Sequence, residues 1–237
     1  VPAWLDGEAL PYCRPSITAR DRDLAAQQLA AALQALHQWQ PDPEVTEAFA
    51  HRPHPSTFEG IVGADVNPLP MDRALALIEE VKRLRLAEVP LLDRVAERLE
   101  MLRPVDPMAS IDDVVVVHGD AHFDNIIWNG SEVAGVLDFE WARFGPPDLE
   151  LQPLLRGSAG EPVETFGRLR RSYPELFSAP NLVQRLWLYD LAFNLRHLLV
   201  WPSAGQPDAR PAHHPRWRLE RILDGPGYIE ELLDVTS

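Results

Sequence analysis

The chain has 237 residues, 46% hydrophobic and 24% charged, enough to bury a large core and ordinary for a globular protein. Its formal net charge of −14 argues against nucleic acid as a partner, because phosphate backbones repel an acidic surface, and no run approaches the ~18 apolar residues of a membrane span. Cys13 is the only cysteine, so no intramolecular disulfide can form, and with no signal-like N-terminus a reducing cytoplasm is the expected compartment.

Residues 1–17 read as a strand end and linker, with Asp6-Gly7 as a turn. Thr18 and Asp21 form a capping-box pattern, and Leu29, Leu33 and Leu36 then recur at helical spacing up to His37. Residues 41–70 hold six prolines and no sustained period, which predicts a long irregular loop. Helices are expected over about 71–86 and 90–102, with a Pro-marked break at 103–107. The only lysine, Lys82, falls in the first of these and is expected to reach solvent.

The pattern then changes. Val114-Val115-Val116-Val117 is β-branched and reads as a buried strand. The runs 125–128 and 133–137 flank Asn129-Gly130, a hairpin signal. Helices resume from Pro147, and the one at 182–201 is apolar nearly all round and therefore central. A proline-rich loop at 202–215, with His213-His214 expected to face solvent, precedes the closing helices. The expected fold class is α+β and mostly α: a helical lobe with a β-hairpin inserted in its middle.

The chemistry-bearing residues gather where the buried strand ends, in His118-Gly119-Asp120-Ala121-His122-Phe123-Asp124-Asn125, and where the hairpin ends, in Leu137-Asp138-Phe139-Glu140. The hairpin returns the chain to its starting edge, so Asp120, Asn125 and Asp138 are expected to lie within reach of one another. Phosphoryl transfer needs such a set: a carboxylate to accept the hydroxyl proton and hard oxygen donors for Mg²⁺. Kinase catalytic loops space their Asp and Asn five apart, as Asp120 and Asn125 are, and Asp138-Phe139-Glu140 stands in the Asp-Phe-Gly place.

His-Gly-Asp-x-x-x-x-Asn followed by Leu-Asp-Phe-Glu resembles the aminoglycoside phosphotransferase family, which is related in fold to protein kinases. Leu36-His37, the Gly7 segment and Gly145-Pro146-Pro147 before Glu150-Leu151 resemble it too. The resemblance implies a protein-kinase-like C-terminal lobe over 18–237, with 1–17 as a hinge-like segment from an N-terminal nucleotide lobe. It implies Asp120 as catalytic base, Asn125 and Asp138 as Mg²⁺ and nucleotide ligands, ATP or GTP as donor, and a small-molecule hydroxyl as acceptor. The acidic balance suits a cationic acceptor; these motifs encode neither its identity nor the oligomeric state. Glu150 replaces the Asp more usual in the family.

The remaining candidates have two readings each. His118 is expected to support the loop by hydrogen bonds, and His122 and Asp124 either shape it or touch substrate or phosphate. Glu140 either holds a neighbour in place or sets a charge on the substrate side. Asp190, Asn194 and His197, at i, i+4 and i+7, either line the substrate pocket or form a buried hydrogen-bonded network. Two other functions compete: a metallohydrolase, if His118, Asp120, His122 and Asp124 alternate along a strand and point one way, and a pseudokinase-like binding domain without turnover. The 13 glycines contain no Gly-x-Gly-x-x-Gly phosphate-covering pattern, which is the case for the latter.

Overall fold

The structure is a computed structural model, and it describes residues 7–9, 17–50, 71–106, 114–157, 162–200 and 214–224, together with 229 and 233. The predicted proline-rich segments therefore lie outside the described residues over 51–70 and 201–213, as do Cys13 and the start of the hinge-like segment. The chain divides into two compact units, Val1–His51 with Asp112–Leu182 and Leu232–Ser237, and Arg52–Ile111 with Val183–Glu231.

In the first unit, helix α1 (Ala19–Gln38) starts at the capping box read from the sequence. Thr18 Oγ1 accepts from Asp21 N at 3.2 Å, and Asp21 Oδ2 accepts from Thr18 N at 3.3 Å. Its buried side is Ala25, Ala26, Leu29, Ala30, Leu33 and His37, a stripe at helical spacing. The small alanines let its neighbours approach closely, and each buried leucine contributes roughly 1.5–3 kcal/mol. Helix α2 (Pro43–Ala50) corrects the expectation of an irregular loop from residue 41. Asp42 Oδ1 accepts from Val45 N at 2.9 Å, and Pro43 sits at the helix start, where its missing N–H costs nothing.

The hairpin is as predicted. Strands β3 (Ile126–Trp128) and β4 (Val133–Val136) pair antiparallel, and β1 (Glu8–Ala9) adds to the free edge of β3. The connecting turn is longer than two residues: Asn129 Oδ1 accepts from both Ser131 N and Glu132 N at 3.0 Å, and Gly130 takes φ 97°. From α1, Gln28 Oε1 accepts from Val133 N at 2.6 Å and fixes the start of β4.

Strand β2 (Val115–Val117) pairs not with the hairpin but with β5 (Arg143–Gly145), Val117 opposite Arg143. Beyond β5, a tight turn over Pro147–Glu150 leads into α5 (Leu151–Gly157). Helix α6 (Pro162–Ser172) packs on α1. Tyr173 follows it, ahead of a turn over Pro174–Phe177.

In the second unit, α3 (Met71–Arg83) buries Met71, Ala74, Leu77, Ile78 and Val81 against α4 (Val89–Leu102). It ends earlier than predicted because Arg85 turns left-handed, at φ 55°. Lys82 does not simply reach for solvent: Nζ lies 2.8 Å from Glu79 and 2.9 Å from Asp93. Helix α7 (Leu182–Val200) is buried on nearly all faces from Leu186 to Arg196, as expected of a helix that is apolar nearly all round. Helix α8 (Pro215–Asp224) packs on α4. His214, expected in solvent, is buried, and its Nδ1 accepts from Arg216 N at 3.2 Å to cap α8. Among the described residues, no helix is long and apolar enough to cross a membrane.

Candidate functional site

The three valines of β2 end at His118, which is fully buried. Gly119 then turns with φ +78°, a left-handed conformation that a side chain disfavours. A Cβ there would also stand 2.9 Å from the Trp141 carbonyl and 2.9 Å from Arg143 Nη1. The strand therefore stops at His118, and the alternation required for four ligands on one strand face fails. His118 is buried while Asp124 is exposed.

Both ring nitrogens of His118 are committed. Nε2 donates to the Leu137 carbonyl at 2.8 Å, and Nδ1 accepts from Asp120 N at 3.2 Å. These partners assign the Nε2–H tautomer. His118 thus shapes its own loop and also grips the end of β4. Its ring packs on Phe139 at a centroid distance of 4.4 Å, so the residues on both sides of Asp138 are tied to it.

Asp120 leads into a short turn over Phe123–Asn125. His122 N donates to the Asp120 carbonyl at 2.8 Å, and Asn125 Nδ2 donates to the same carbonyl at 3.0 Å. Asn125 Nδ2 also lies 3.4 Å from Asp120 Oδ2. His122 Nδ1 accepts from Asp124 N at 3.2 Å, which leaves Nε2–H facing Asp120 Oδ2 at 3.4 Å. Asp124 itself is exposed.

Across the hairpin, Leu137 N donates to the Asn125 carbonyl at 2.7 Å, so Asp138 follows immediately on the rung that holds Asn125. Asp138 adopts φ 66° and ψ 58°, rare for a non-glycine residue and typical of functional positions. Its carboxylate is exposed and has no hydrogen-bond partner among the described residues; neither has Asn125 Oδ1, since the bonds of that amide run from Nδ2. One carboxylate and one amide oxygen, both hard donors, suit Mg²⁺, which takes few protein ligands and completes its shell with water and phosphate. Among the described residues, no group of three or more His, Cys, Asp or Glu could hold a metal ion.

Glu150, whose role was open in the sequence, is fully buried and spans back to the loop. Its carboxylate accepts from His118 N at 2.5 Å and from Gly119 N at 3.1 Å. Bonds from backbone amides to a buried carboxylate are each worth about 1.5–3 kcal/mol. Sequence reasoning missed this clamp, although Glu150 was singled out.

The backbone of Glu140 forms part of the turn Phe139–Trp141, and its side chain is outside the described residues. Asp190, Asn194 and His197 belong to α7, in the second unit. Asp190 and Asn194 are buried, Asn194 Nδ2 donates to the Asp190 carbonyl at 2.7 Å, and the His197 ring lies 3.8 Å from that of Phe193.

A family model described as "Phosphotransferase enzyme family" matches residues 3–179. No curated protein sequence matches the chain. Among solved structures, ADP-bound aminoglycoside phosphotransferase APH(2'')-Ib is 18% identical with a TM-score of 0.56, over 92% of this chain and 68% of its own. APH(2")-IIa in its ternary complex with streptomycin and ATP is 19% identical with a TM-score of 0.58, over 83% of this chain and 63% of its own. Spectinomycin phosphotransferase APH(9)-Ia, with ADP and spectinomycin, is 13% identical with a TM-score of 0.56, over 98% and 69%. The likeness is one of fold, and the chain spans about two thirds of the length of these proteins.

Proposed function

The chain belongs to the phosphotransferase enzyme family, and from that premise we propose that it serves the transfer of a nucleoside-triphosphate γ-phosphate to a hydroxyl of a small molecule. The observation that carries this reading is the joining of Asp120, Asn125 and Asp138 through one set of bonds. Asn125 Nδ2 holds Asp120, and Leu137 N ties Asn125 to the residue before Asp138. In this reading Asp120 orients the acceptor hydroxyl and takes its proton as the oxygen attacks phosphorus. Its carboxylate is aimed by Asn125 and by His122, and its backbone by His118. Asn125 Oδ1 and the Asp138 carboxylate would hold Mg²⁺ on the triphosphate. The ion, when bound, would neutralise charge that builds on the phosphoryl oxygens.

The absence of a Gly-x-Gly-x-x-Gly pattern supports a division of labour in which this chain supplies the catalytic and acceptor side of the site, with residues 1–17 leading from a nucleotide lobe. Aminoglycosides and spectinomycin, named with the structural neighbours, are the first acceptors to try, and the net charge of −14 suits their cationic character. The test is nucleoside-diphosphate release by the full-length gene product with Mg-ATP or Mg-GTP and a panel of hydroxyl-bearing antibiotics, sugars and amino alcohols. Transfer to an acceptor, lost in Asp120→Asn, supports the proposal. No acceptor-dependent release from any donor would sink it.

A further inference from the structure

In the second unit, α7 carries a tryptophan whose polar atom has been given nothing to bond. Trp187 is 9% exposed, and its Nε1–H is buried without a hydrogen-bond partner. A buried indole N–H normally finds an acceptor, because leaving it bare forfeits its hydration for nothing in return. Packing alone does not explain the choice, since a phenylalanine would fill such a place without burying a donor.

The group beside it from α4 is also unsatisfied. Arg98 Cζ stands 5.0 Å from the Trp187 ring centroid, inside the range of about 6 Å for cation–π attraction. That stacking is the contact Arg98 makes: among the described residues its guanidinium has no ion pair and no hydrogen bond. In the same unit Arg83, Arg94, Arg103 and Arg216 each have a carboxylate partner. Arg98 has none to take at helical spacing on α4, where positions 94, 95, 101 and 102 are Arg, Val, Met and Leu. In a chain of net charge −14, an arginine left unpaired over a buried donor stands out.

The chemistry of the pair selects its ligand. Indole and guanidinium are donors only, so what completes them is a group that only accepts. A neutral oxygen would satisfy the indole and leave the arginine charge uncompensated, whereas a carboxylate or phosphate group answers both and matches the guanidinium fork. We propose that Arg98 and Trp187 form a binding site for such an oxyanion, one oxygen on Trp187 Nε1–H and another on the guanidinium. Arg98 is half-buried and held by the ring alone, so it is the part that swings to admit the ligand and then closes on it. The acidic field of the chain repels anions at long range, so these local donors, and not general attraction, hold the ion. The site uses none of the residues placed in the transfer chemistry and does not rest on that reading.

The test is a titration read by NMR on the ¹⁵N-labelled 237-residue chain. The Trp187 indole resonance is identified by its loss in Trp187→Phe. Sodium phosphate and sodium acetate are then added separately, with ionic strength held constant by sodium chloride. The indole resonance should move saturably, with a millimolar or tighter Kd, for at least one of the two. Arg98→Met should weaken that binding by about 10-fold or more, and Arg98→Lys, which keeps the charge without the fork, by less. Should Arg98→Met not fold, Trp187→Phe decides: it keeps a ring under the guanidinium, and binding read from the Arg98 Nε–H resonance should also fall about 10-fold. Saturation by phosphate alone assigns a phosphate or phosphate ester as ligand, and saturation by acetate alone assigns a carboxylate; either supports the site. No saturable shift with either anion, or an affinity unchanged in the variants, overturns it. An indole N–H that shows a long-lived water as its neighbour and responds to neither anion overturns it as well, with a buried water as the partner.

Discussion

His118 Nε2 donates to the Leu137 carbonyl at 2.8 Å, so the peptide that leads into Asp138 is held by a side chain from the opposite loop. Leu137 N is held as well, by the Asn125 carbonyl at 2.7 Å. With both ends of residue 137 fixed, Asp138 is left in a left-handed conformation, φ 66°, that costs a non-glycine residue about 1–2 kcal/mol. Asp138→Gly should therefore raise the unfolding free energy, by about 1 kcal/mol, while removing Mg²⁺-dependent transfer; Asp138→Asn should lose transfer with stability nearly unchanged. Chemical denaturation beside an activity assay checks this. A glycine variant that is less stable than the parent contradicts the strain argument, and one that stays active contradicts the metal role.

Asp120 is gripped by Asn125 and His122 rather than left to solvent. Asp120→Asn in the full-length product should reduce kcat by at least ~10²-fold with little change in nucleotide affinity, since it removes the proton acceptor and no phosphate contact. Near-normal turnover would remove Asp120 as the base.

The loop and hairpin were legible in the sequence because their signals are local: a valine run, Asn129-Gly130, and an Asp and Asn five apart. Helix α2 was legible in principle. Asp42-Pro43 is a helix-start signal, but the later prolines outweighed it. Strand β5 was not, because three residues carrying Arg143 read as strand only once β2 stands beside them. The Glu150 clamp was invisible for the same reason: nothing near Glu150 in sequence marks it as the acceptor for the amides of His118 and Gly119, 32 and 31 positions away.

Gly119 offers a test of the loop's packing. At φ +78°, with a rigid backbone oxygen at Trp141 only 2.9 Å from where a Cβ would stand, Gly119→Ala carries both backbone strain and a clash. A loss of about 1–3 kcal/mol in unfolding free energy is expected, with transfer activity reduced at temperatures where the variant is still folded. A loss under about 0.5 kcal/mol would show that the loop has slack that this packing denies.

Tyr173 makes stability fall at alkaline pH. Its pKa is raised above the ordinary 10.0, first by burial and then by the charges of Glu175 and Glu150. Between the unfolded and folded values the native state holds a proton that the unfolded chain has released, so stability declines as pH rises through that window and is fully present below it. As pH rises above roughly 10, the unfolding midpoint of the parent should drop more steeply than that of Tyr173→Phe, in which the other tyrosines still titrate. Parallel curves would mean that the phenol is not buried as described.

The last expectation concerns nucleotide affinity. Kinase-type sites cover the phosphates with a Gly-rich hairpin and pair them with a strand lysine. The 237 residues contain no Gly-x-Gly-x-x-Gly, and the single lysine, Lys82, is held in α3 by Glu79 and Asp93. Both bonds raise its pKa, keeping its charge but committing it to those carboxylates. Phosphates meeting this chain alone would be held chiefly through Mg²⁺ at Asn125 and Asp138, an attraction that water and salt screen. Binding of Mg-ATP to the 237-residue chain should be millimolar at best, about −4 kcal/mol, and should weaken further with added salt. Titration calorimetry at two ionic strengths measures both. Micromolar affinity in the unmodified chain that survives Asp138→Asn would mean that it builds a nucleotide site from other residues, and the division of labour proposed between this chain and a nucleotide lobe would have to be abandoned.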